Sequence, residues 1–223
     1  MASSRLRSRT TALVAAGVAA AFVLVVGASL LASVVLARDD VDEQSLDGDV
    51  RRLIVRNDAG TVEIVPSSDG RTHVRAERHY LFDRPELEPE LVGGTLRIDP
   101  DCGGWLTPGC TVDLRIEVAP GVAVDAHSDA GDVRVRGLDG GGEVKAYSDA
   151  GDVEVDLTGT PHRVDASSDA GDVTVRVPPA TYAVDADTDA GDTHVEGLVQ
   201  DDRAPSTIRA YSDAGDVRVE ARS

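Results

Sequence analysis

The chain has 223 residues, of which 40 are Asp or Glu and 22 are Lys or Arg, so its formal net charge is −18. Only 3% of the residues are aromatic, and we therefore do not expect a core built around large rings. Its length allows one ordinary domain and an appendage. A surface this acidic repels nucleic acid and anionic lipid, and we expect neither as a partner.

An uncharged stretch near the N-terminus, residues 11–37, is rich in Ala, Val and Leu. A helix of that length reaches about 40 Å, which is enough to cross the ~30 Å hydrocarbon core of a membrane. Arg5, Arg7 and Arg9 precede it, so the positive-inside rule places residues 1–10 in the cytoplasm and exports the rest. A cleaved signal peptide is the alternative, although signal h-regions are shorter, about 7–15 residues. The sequence predicts a single-pass signal-anchor that binds the cytoplasmic membrane through residues 11–37.

Residues 38–50 are acidic and lack an apolar period. Such a segment is typical of a solvated linker that extends through self-repulsion. We assign the remainder, residues 51–223, to one extracytoplasmic domain.

A six-residue motif, SDAGDV, begins at Ser128, Ser148, Ser168 and Ser212, and a near copy, TDAGDT, begins at Thr188. Apolar and polar residues alternate on both sides of every copy, which predicts a strand, a turn and a second strand with one buried face. Residues 57–60, Asn-Asp-Ala-Gly, form a looser early copy. Each turn contains a glycine that supplies a positive φ, and these glycines are Gly131, Gly151, Gly171, Gly191 and Gly215.

Two folds fit this repeating unit, an antiparallel hairpin meander and a β-solenoid. The first three intervals between copies are 20 residues each and the last is 24. Constant spacing favours the solenoid, because coils that stack in register need a constant length. We predict an all-β protein, a single-stranded β-helix whose coils of about 20 residues stack in chain order behind the transmembrane helix.

Residues 71–120 lack the regular repeat, and we interpret them as wider coils or as a cap over the first edge of the array. Cys102 and Cys110 flank a turn-rich loop, and outside the cytoplasm a disulfide between them is the simplest interpretation. A metal site is the alternative, but two thiolates without neighbouring His are too few ligands. Trp105, the sole tryptophan, covers the disulfide or serves as an exposed contact.

Stacking turns the aspartates of the motif into two ladders. Neighbouring carboxylates would lie about 4.8 Å apart, so they must be solvated, bonded to turn amides or bridged by cations. Turn-forming Asp is the preferred interpretation, and calcium, which takes carboxylate oxygens as ligands, is the alternative. The first ladder contains Asp129, Asp149, Asp169, Asp189 and Asp213, and the second contains Asp132, Asp152, Asp172, Asp192 and Asp216.

Other candidate groups for catalysis are weaker. The motif serines stand beside Asp, but a Ser–Asp pair without an oriented His is not a triad. The histidines occupy different phases of the repeat, so we do not expect stacking to gather them; they are His73, His79, His127, His162 and His194. Polysaccharide hydrolysis could use paired carboxylates, but it needs one asymmetric site, whereas these carboxylates recur identically. We predict that the protein is not an enzyme and has no cofactor, with calcium on the ladders as the alternative.

Repeated D-A-G-D-V-x-V units behind an apolar N-terminal segment resemble the bacterial putative-adhesin family of β-strand repeats, over residues 50–223. The resemblance implies a β-helix outside the cytoplasmic membrane and carries over no catalytic residue. We therefore predict a non-enzymatic, membrane-anchored, adhesin-like scaffold or binding module for an unidentified envelope ligand. The alternatives are a calcium-dependent module and a polysaccharide-active enzyme.

The last copy, residues 217–220, is expected to form the open end of the array. Arg218, Glu220 and Arg222 would blunt that edge with charge, as exposed strand edges usually require. We therefore predict a monomeric exported domain.

Overall fold

The computed structural model describes residues 38–81, 84–102 and 109–222, and from Asp39 onward the chain forms one compact unit. The predicted membrane segment, residues 11–37, and Trp105 lie outside the described residues. In the part of the chain that the structure describes, no helix has the length and apolar character needed to cross a membrane.

The described residues form an all-β structure of two nine-stranded mixed sheets. One sheet has the order β1-β4-β7-β3-β9-β11-β13-β18-β15, and the other has the order β16-β14-β17-β12-β10-β8-β2-β6-β5. The strands are β1 (Arg38–Leu46), β2 (Arg52–Ala59), β3 (Val62–Pro66), β4 (Thr72–Tyr80), β5 (Glu90–Val92), β6 (Thr95–Ile98), β7 (Thr111–Val118), β8 (Ala123–Ala130), β9 (Val133–Leu138), β10 (Glu143–Ala150), β11 (Val153–Leu157), β12 (Arg163–Ala170), β13 (Val173–Val177), β14 (Thr181–Thr188), β15 (Thr193–Glu196), β16 (Val199–Gln200), β17 (Thr207–Ala214) and β18 (Val217–Ala221).

Each motif forms a corner at which the chain leaves one sheet and enters the other. The strand before the corner and the strand after it pair with the equivalent strands of other units, in parallel and in register, as in Val144↔Val164 and Val153↔Val173. The two strands of one unit therefore do not form a hairpin, and the meander is excluded for these units. Inward-facing valines and alanines from both sheets fill the space between them.

The order of the units differs from the predicted one. β17 lies between β12 and β14, and β18 lies between β13 and β15, so the last unit is inserted between the third and the fourth. The prediction that residues 217–220 form the open end is wrong, because the unit β14–β15 occupies that position. The antiparallel pairs β4–β7 and β5–β6 are a further departure from one continuous coil.

Burial gives the physical reason for the exchanged order. In the end unit, Val184 is only partly buried and Thr193 is exposed, because no further unit covers them. The equivalent residues of the inserted unit, Ile208 and Val217, are fully buried. Burying the hydroxyl of Thr193 without a hydrogen-bond partner would cost free energy. The unit that carries it is therefore most stable at the end of the stack, where this side chain stays in contact with water.

The early copy, β2–β3, stacks on β8–β9, as its sequence suggested. The non-repetitive segment then folds back over the far side of this copy, with β6 on β2 and β7 on β3. These strands cover the edge that the first copy would otherwise expose, as expected of a cap.

The acidic segment after residue 37 is not a solvated linker over its whole length. Residues Arg38–Leu46 form β1, an edge strand beside β4. The reason is charge complementarity: β4 carries Arg75 and Arg78, which form ion pairs with Glu43 and with Asp40 and Asp42.

Candidate functional site

Three polar columns run along the stack at the corners, and the inner one consists of the motif hydroxyls. The side chain of Ser148 is fully buried and donates a hydrogen bond to the carbonyl of Gly131 in the preceding unit, at 2.8 Å. Ser128, Ser168, Ser212 and Thr188 repeat this bond to the glycine of the unit beside them. The hydroxyls satisfy turn carbonyls that stacking buries, and none of them accompanies an oriented histidine.

The second aspartate ladder is also structural. The backbone N–H of Asp152 donates to Oδ1 of Asp132 at 2.9 Å, and that of Asp172 donates to Oδ1 of Asp152 at 2.9 Å. The ladder continues through Asp216 to Asp192. The bond from the Asp192 amide, together with Arg218, lowers the pKa of Asp216. Four of the five carboxylates, all but that of Asp192 in the end unit, thus bind the turn of the next unit. This is the amide-bonded arrangement, one of those that the sequence left open.

The first aspartate ladder differs because it faces solvent. In stacking order it contains Asp58, Asp129, Asp149, Asp169, Asp213 and Asp189, so the observed order exchanges the last two and adds an early member. Among the described residues, no Lys or Arg forms an ion pair with any of these carboxylates. We call these six residues the outer carboxylate column. Burial and the nearby Asp129 raise the pKa of Asp58, which shows that the column's charge is poorly compensated at that end.

The residues two positions before the outer carboxylate column point to the same side of the sheet. In stacking order they are Arg56, His127, Tyr147, Ser167, Tyr211 and Asp187. The hydroxyl of Tyr147 donates to Asp169 at 2.7 Å, and this bond raises the pKa of Tyr147. Hydrogen bonding to Asp213 and Asp189 does the same for Tyr211.

His127 joins this surface, a placement beside the ladders that the phases of the histidines within the repeat did not predict. Its Nε2 lies 3.2 Å from Asp129 and 3.0 Å from Asp149, and its ring lies 4.7 Å from that of Tyr147. The signal was present in the sequence, because two residues that are two positions apart in a strand face the same side. The other histidines do not lie in this column: His73 and His79 face Asp69 and Asp39.

Residues 111–223, about half of the chain, match the family described as Toastrack DUF4097. The chain belongs to this family. The matched range contains every regular copy of the motif, which agrees with the resemblance seen in the repeats. No curated protein matches the chain in sequence.

Several solved structures are similar to this Toastrack protein. A putative cell adhesion protein from Clostridium sporogenes is 12% identical and superposes with a TM-score of 0.58, covering 83% of this chain and 100% of that chain. A putative adhesin from Bacteroides fragilis is 14% identical, with a TM-score of 0.34 and coverage of 83% and 97%. A putative lipid binding protein from Parabacteroides distasonis is 12% identical, with a TM-score of 0.33 and the same coverage. The first likeness supports a shared all-β fold, and the other two scores are too low to carry an argument.

The Toastrack fold of this chain also contains the predicted disulfide. Cys102 and Cys110 are bonded, with Cα atoms 6.0 Å apart, so the alternative of a thiolate metal site does not apply.

A charged groove runs across β1, β4 and β7, away from the corners. It is lined by Glu43, His73, Arg75, Arg115 and Glu117, among others. Its charges pair with one another, as in Arg75 with Glu77 and Arg115 with Glu63. Because these groups are mutually neutralised and exposed, the groove does not gather a set of reactive side chains.

Proposed function

We propose that this Toastrack protein is a non-enzymatic, membrane-anchored binding module of adhesin type that presents the outer carboxylate column to a ligand in the cell envelope. One observation carries the proposal. Of the three polar columns at the corners, the inner hydroxyls bind turn carbonyls and four of the five second aspartates bind turn amides. All six members of the outer carboxylate column are exposed, and among the described residues none of them accepts a turn amide. The description of the Clostridium sporogenes relative as a putative cell adhesion protein supports the same function.

The regular geometry of the column supports binding over catalysis. Identical carboxylates at the spacing of neighbouring strands, about 4.8 Å, offer one charge per unit and no single asymmetric centre. The stack of repeated units is a coil-like scaffold that keeps this spacing constant. Such a surface suits a repetitive, cationic or hydrogen-bonding ligand.

The location of the module rests on the apolar segment at residues 11–37 and the arginines before it. Protease added to intact spheroplasts is expected to digest the repeats, because they lie outside the membrane. Full protection of the repeats would contradict the export and the proposed orientation.

Adhesion can be tested directly with beads that carry residues 38–223 and with immobilised bacterial cell envelopes as the probe. The beads should bind in the presence of a chelator. The variant Asp129→Asn/Asp149→Asn/Asp169→Asn should lose that binding, because it removes half of the outer carboxylate column. The control Asp49→Asn/Asp201→Asn/Asp202→Asn changes the charge equally at exposed sites elsewhere and should bind like the parent. Absence of binding by the parent, or equal binding by the two variants, would contradict the proposal.

A calcium-dependent module is the second candidate function, and it is favoured because no Lys or Arg of the described residues pairs with the outer carboxylate column. Calcium takes 6–8 oxygen ligands, and neighbouring carboxylates could supply several of them. The second aspartate ladder has less capacity, because its Oδ1 atoms already accept backbone bonds. In this case the beads would bind only with calcium, and calcium would raise the melting temperature of the parent but not of the triple Asn variant.

A further inference from the structure

One histidine meets two carboxylates of the outer carboxylate column at a single ring nitrogen. Nε2 of His127 lies 3.0 Å from Oδ1 of Asp149 and 3.2 Å from Oδ1 of Asp129. All three ligand atoms lie within 4.8 Å of one another. The three residues come from two adjacent units, since His127 and Asp129 belong to β8 and Asp149 belongs to β10.

A simple ion pair does not account for this arrangement. A ring nitrogen carries at most one hydrogen, which can point well at one carboxylate only. The second carboxylate then lies close to the first without sharing that hydrogen, and like charges at this distance repel. A cation at the position of that hydrogen would bind the nitrogen and both oxygens together.

The surroundings keep the three groups in place and leave the site accessible. The ring of Tyr147 packs against that of His127 at 4.7 Å and 60°, while its hydroxyl is bonded to Asp169. The nearby basic side chains are engaged elsewhere, Arg56 with Asp125 and Lys145 with Glu143. Asp58 and Asp169 flank the cluster in the column and add negative potential, which favours a cation.

We propose that His127, Asp129 and Asp149 form a binding site for a divalent transition-metal ion of the zinc type that bridges two adjacent units of the stack. Imidazole nitrogen with carboxylate oxygen is a ligand set for zinc, whereas calcium takes oxygen ligands. Zinc binds such atoms at about 2.0–2.2 Å, and the three ligand atoms already lie within 4.8 Å of one another around a common point. Three protein ligands leave one tetrahedral position open for water or for a donor group of a ligand.

The site is specific to one step of the stack. At the position of His127 the other units carry Arg56, Tyr147, Ser167, Tyr211 and Asp187, so the same ligand set does not recur. Because the test measures metal binding, the proposal stands or falls independently of the adhesion proposed above.

The experiment titrates the full chain, purified in mild detergent, with Zn²⁺ by calorimetry and with Co²⁺ by visible absorption. We expect one tight equivalent of Zn²⁺, and His127→Gln and Asp149→Asn should each weaken it at least about tenfold. His79→Gln is the matched control, since His79 also lies near two carboxylates, Asp39 and Asp113, but through different nitrogens. Both cysteines are in the disulfide and do not compete.

Circular dichroism should show the same strand content in all variants, because the substituted side chains lie on the surface. Excess calcium should not displace the zinc. The proposal is overturned if the parent binds no zinc, if His127→Gln binds as tightly as the parent, or if His79→Gln loses as much affinity as His127→Gln.

Discussion

At each corner the glycine lies against the carbonyl oxygen of the glycine in the neighbouring unit. A Cβ added to Gly151 would lie 2.4 Å from the carbonyl oxygen of Gly131, and one added to Gly171 would lie 2.2 Å from that of Gly151. The φ of Gly151 is +157°, close to the extended region. Close approach between units, more than the positive φ expected from the sequence, therefore explains why glycine stands at this position.

Replacing Gly151 with alanine should lower the free energy of unfolding by more than about 2 kcal/mol, because the backbone of the adjacent unit would have to move. Gly70→Ala is the control. Gly70 has a φ of +75° but no atom within 4 Å of the added Cβ, so it reports the cost of the left-handed conformation alone, about 1–2 kcal/mol. Urea unfolding followed by circular dichroism measures both. If Gly151→Ala costs no more than Gly70→Ala, crowding does not decide the choice of glycine.

The sequence predicted which residues form the corners but not what each one does. Alternation places the motif serine inside and the two aspartates outside, yet the second aspartate accepts an amide bond and the first faces solvent. Spacing is identical for both ladders, so it could not separate them; the difference depends on the direction of the turn amides. Asp216, whose pKa the Asp192 amide lowers, illustrates this.

At the scale of elements, β1 is held by charge. Arg78 is 2% exposed and lies 3.4 Å from Asp40 and 3.2 Å from Asp42. The inward face of β1 is polar, so apolar burial contributes little to its attachment. A linear reading of the acidic segment could not reveal this, because the complementary arginines lie more than 30 positions away in the chain.

Removing the two countercharges should release β1. In the variant Asp40→Asn/Asp42→Asn, the buried guanidinium of Arg78 loses its ionic partners, and an uncompensated buried charge is strongly unfavourable. We expect faster hydrogen–deuterium exchange across residues 39–46 while β8 to β13 keep their protection. Asp47→Asn breaks only an exposed pair with Arg71 and should change stability by less than about 0.5 kcal/mol. Unchanged exchange in the double variant would show that the ion pairs do not hold the strand.

The exchanged order of the last two units is the largest difference from the predicted fold. Constant spacing predicted parallel stacking in register, which the structure contains, but spacing carries no information on which unit lies beside which. The near copy with Thr193 and the longer 24-residue interval were the available signals. Thr193 marks the unit whose inner face can remain uncovered. The longer interval supplies the residues that connect the end unit to β17, which lies on the inner side of it.

Cysteine cross-linking tests this order. Asp165 and Arg209 are direct partners on β12 and β17, and Asp185 and Arg209 are partners on β14 and β17. The pair Asp165→Cys/Arg209→Cys should therefore form a disulfide on mild oxidation, as seen by mass spectrometry of the peptides. The pair Asp165→Cys/Asp185→Cys should not, because one strand separates the two positions, about 9–10 Å. Stacking in chain order would give the opposite result.

At the scale of the whole molecule, the stack has one covered end and one open end. β4 to β7 close the first end. At the other end, β15 pairs only with β18, and β16 covers only the first two residues of β14. Free strand edges invite pairing with another chain, and the rim of this edge carries Asp185, Asp187, Asp189 and Asp192, all exposed.

We expect residues 38–223 to be monomeric in chelator at low salt, because two such rims repel each other within a Debye length. Divalent cations should permit weak end-to-end association by neutralising the rim, and light scattering with calcium or with chelator measures it. The variant Asp187→Asn/Asp189→Asn should associate at lower calcium than the parent. Asp169→Asn/Asp213→Asn removes the same charge from covered units and should behave like the parent. A stable dimer of the parent in chelator would show that the open edge is a dimer interface and that the acidic rim does not prevent its pairing.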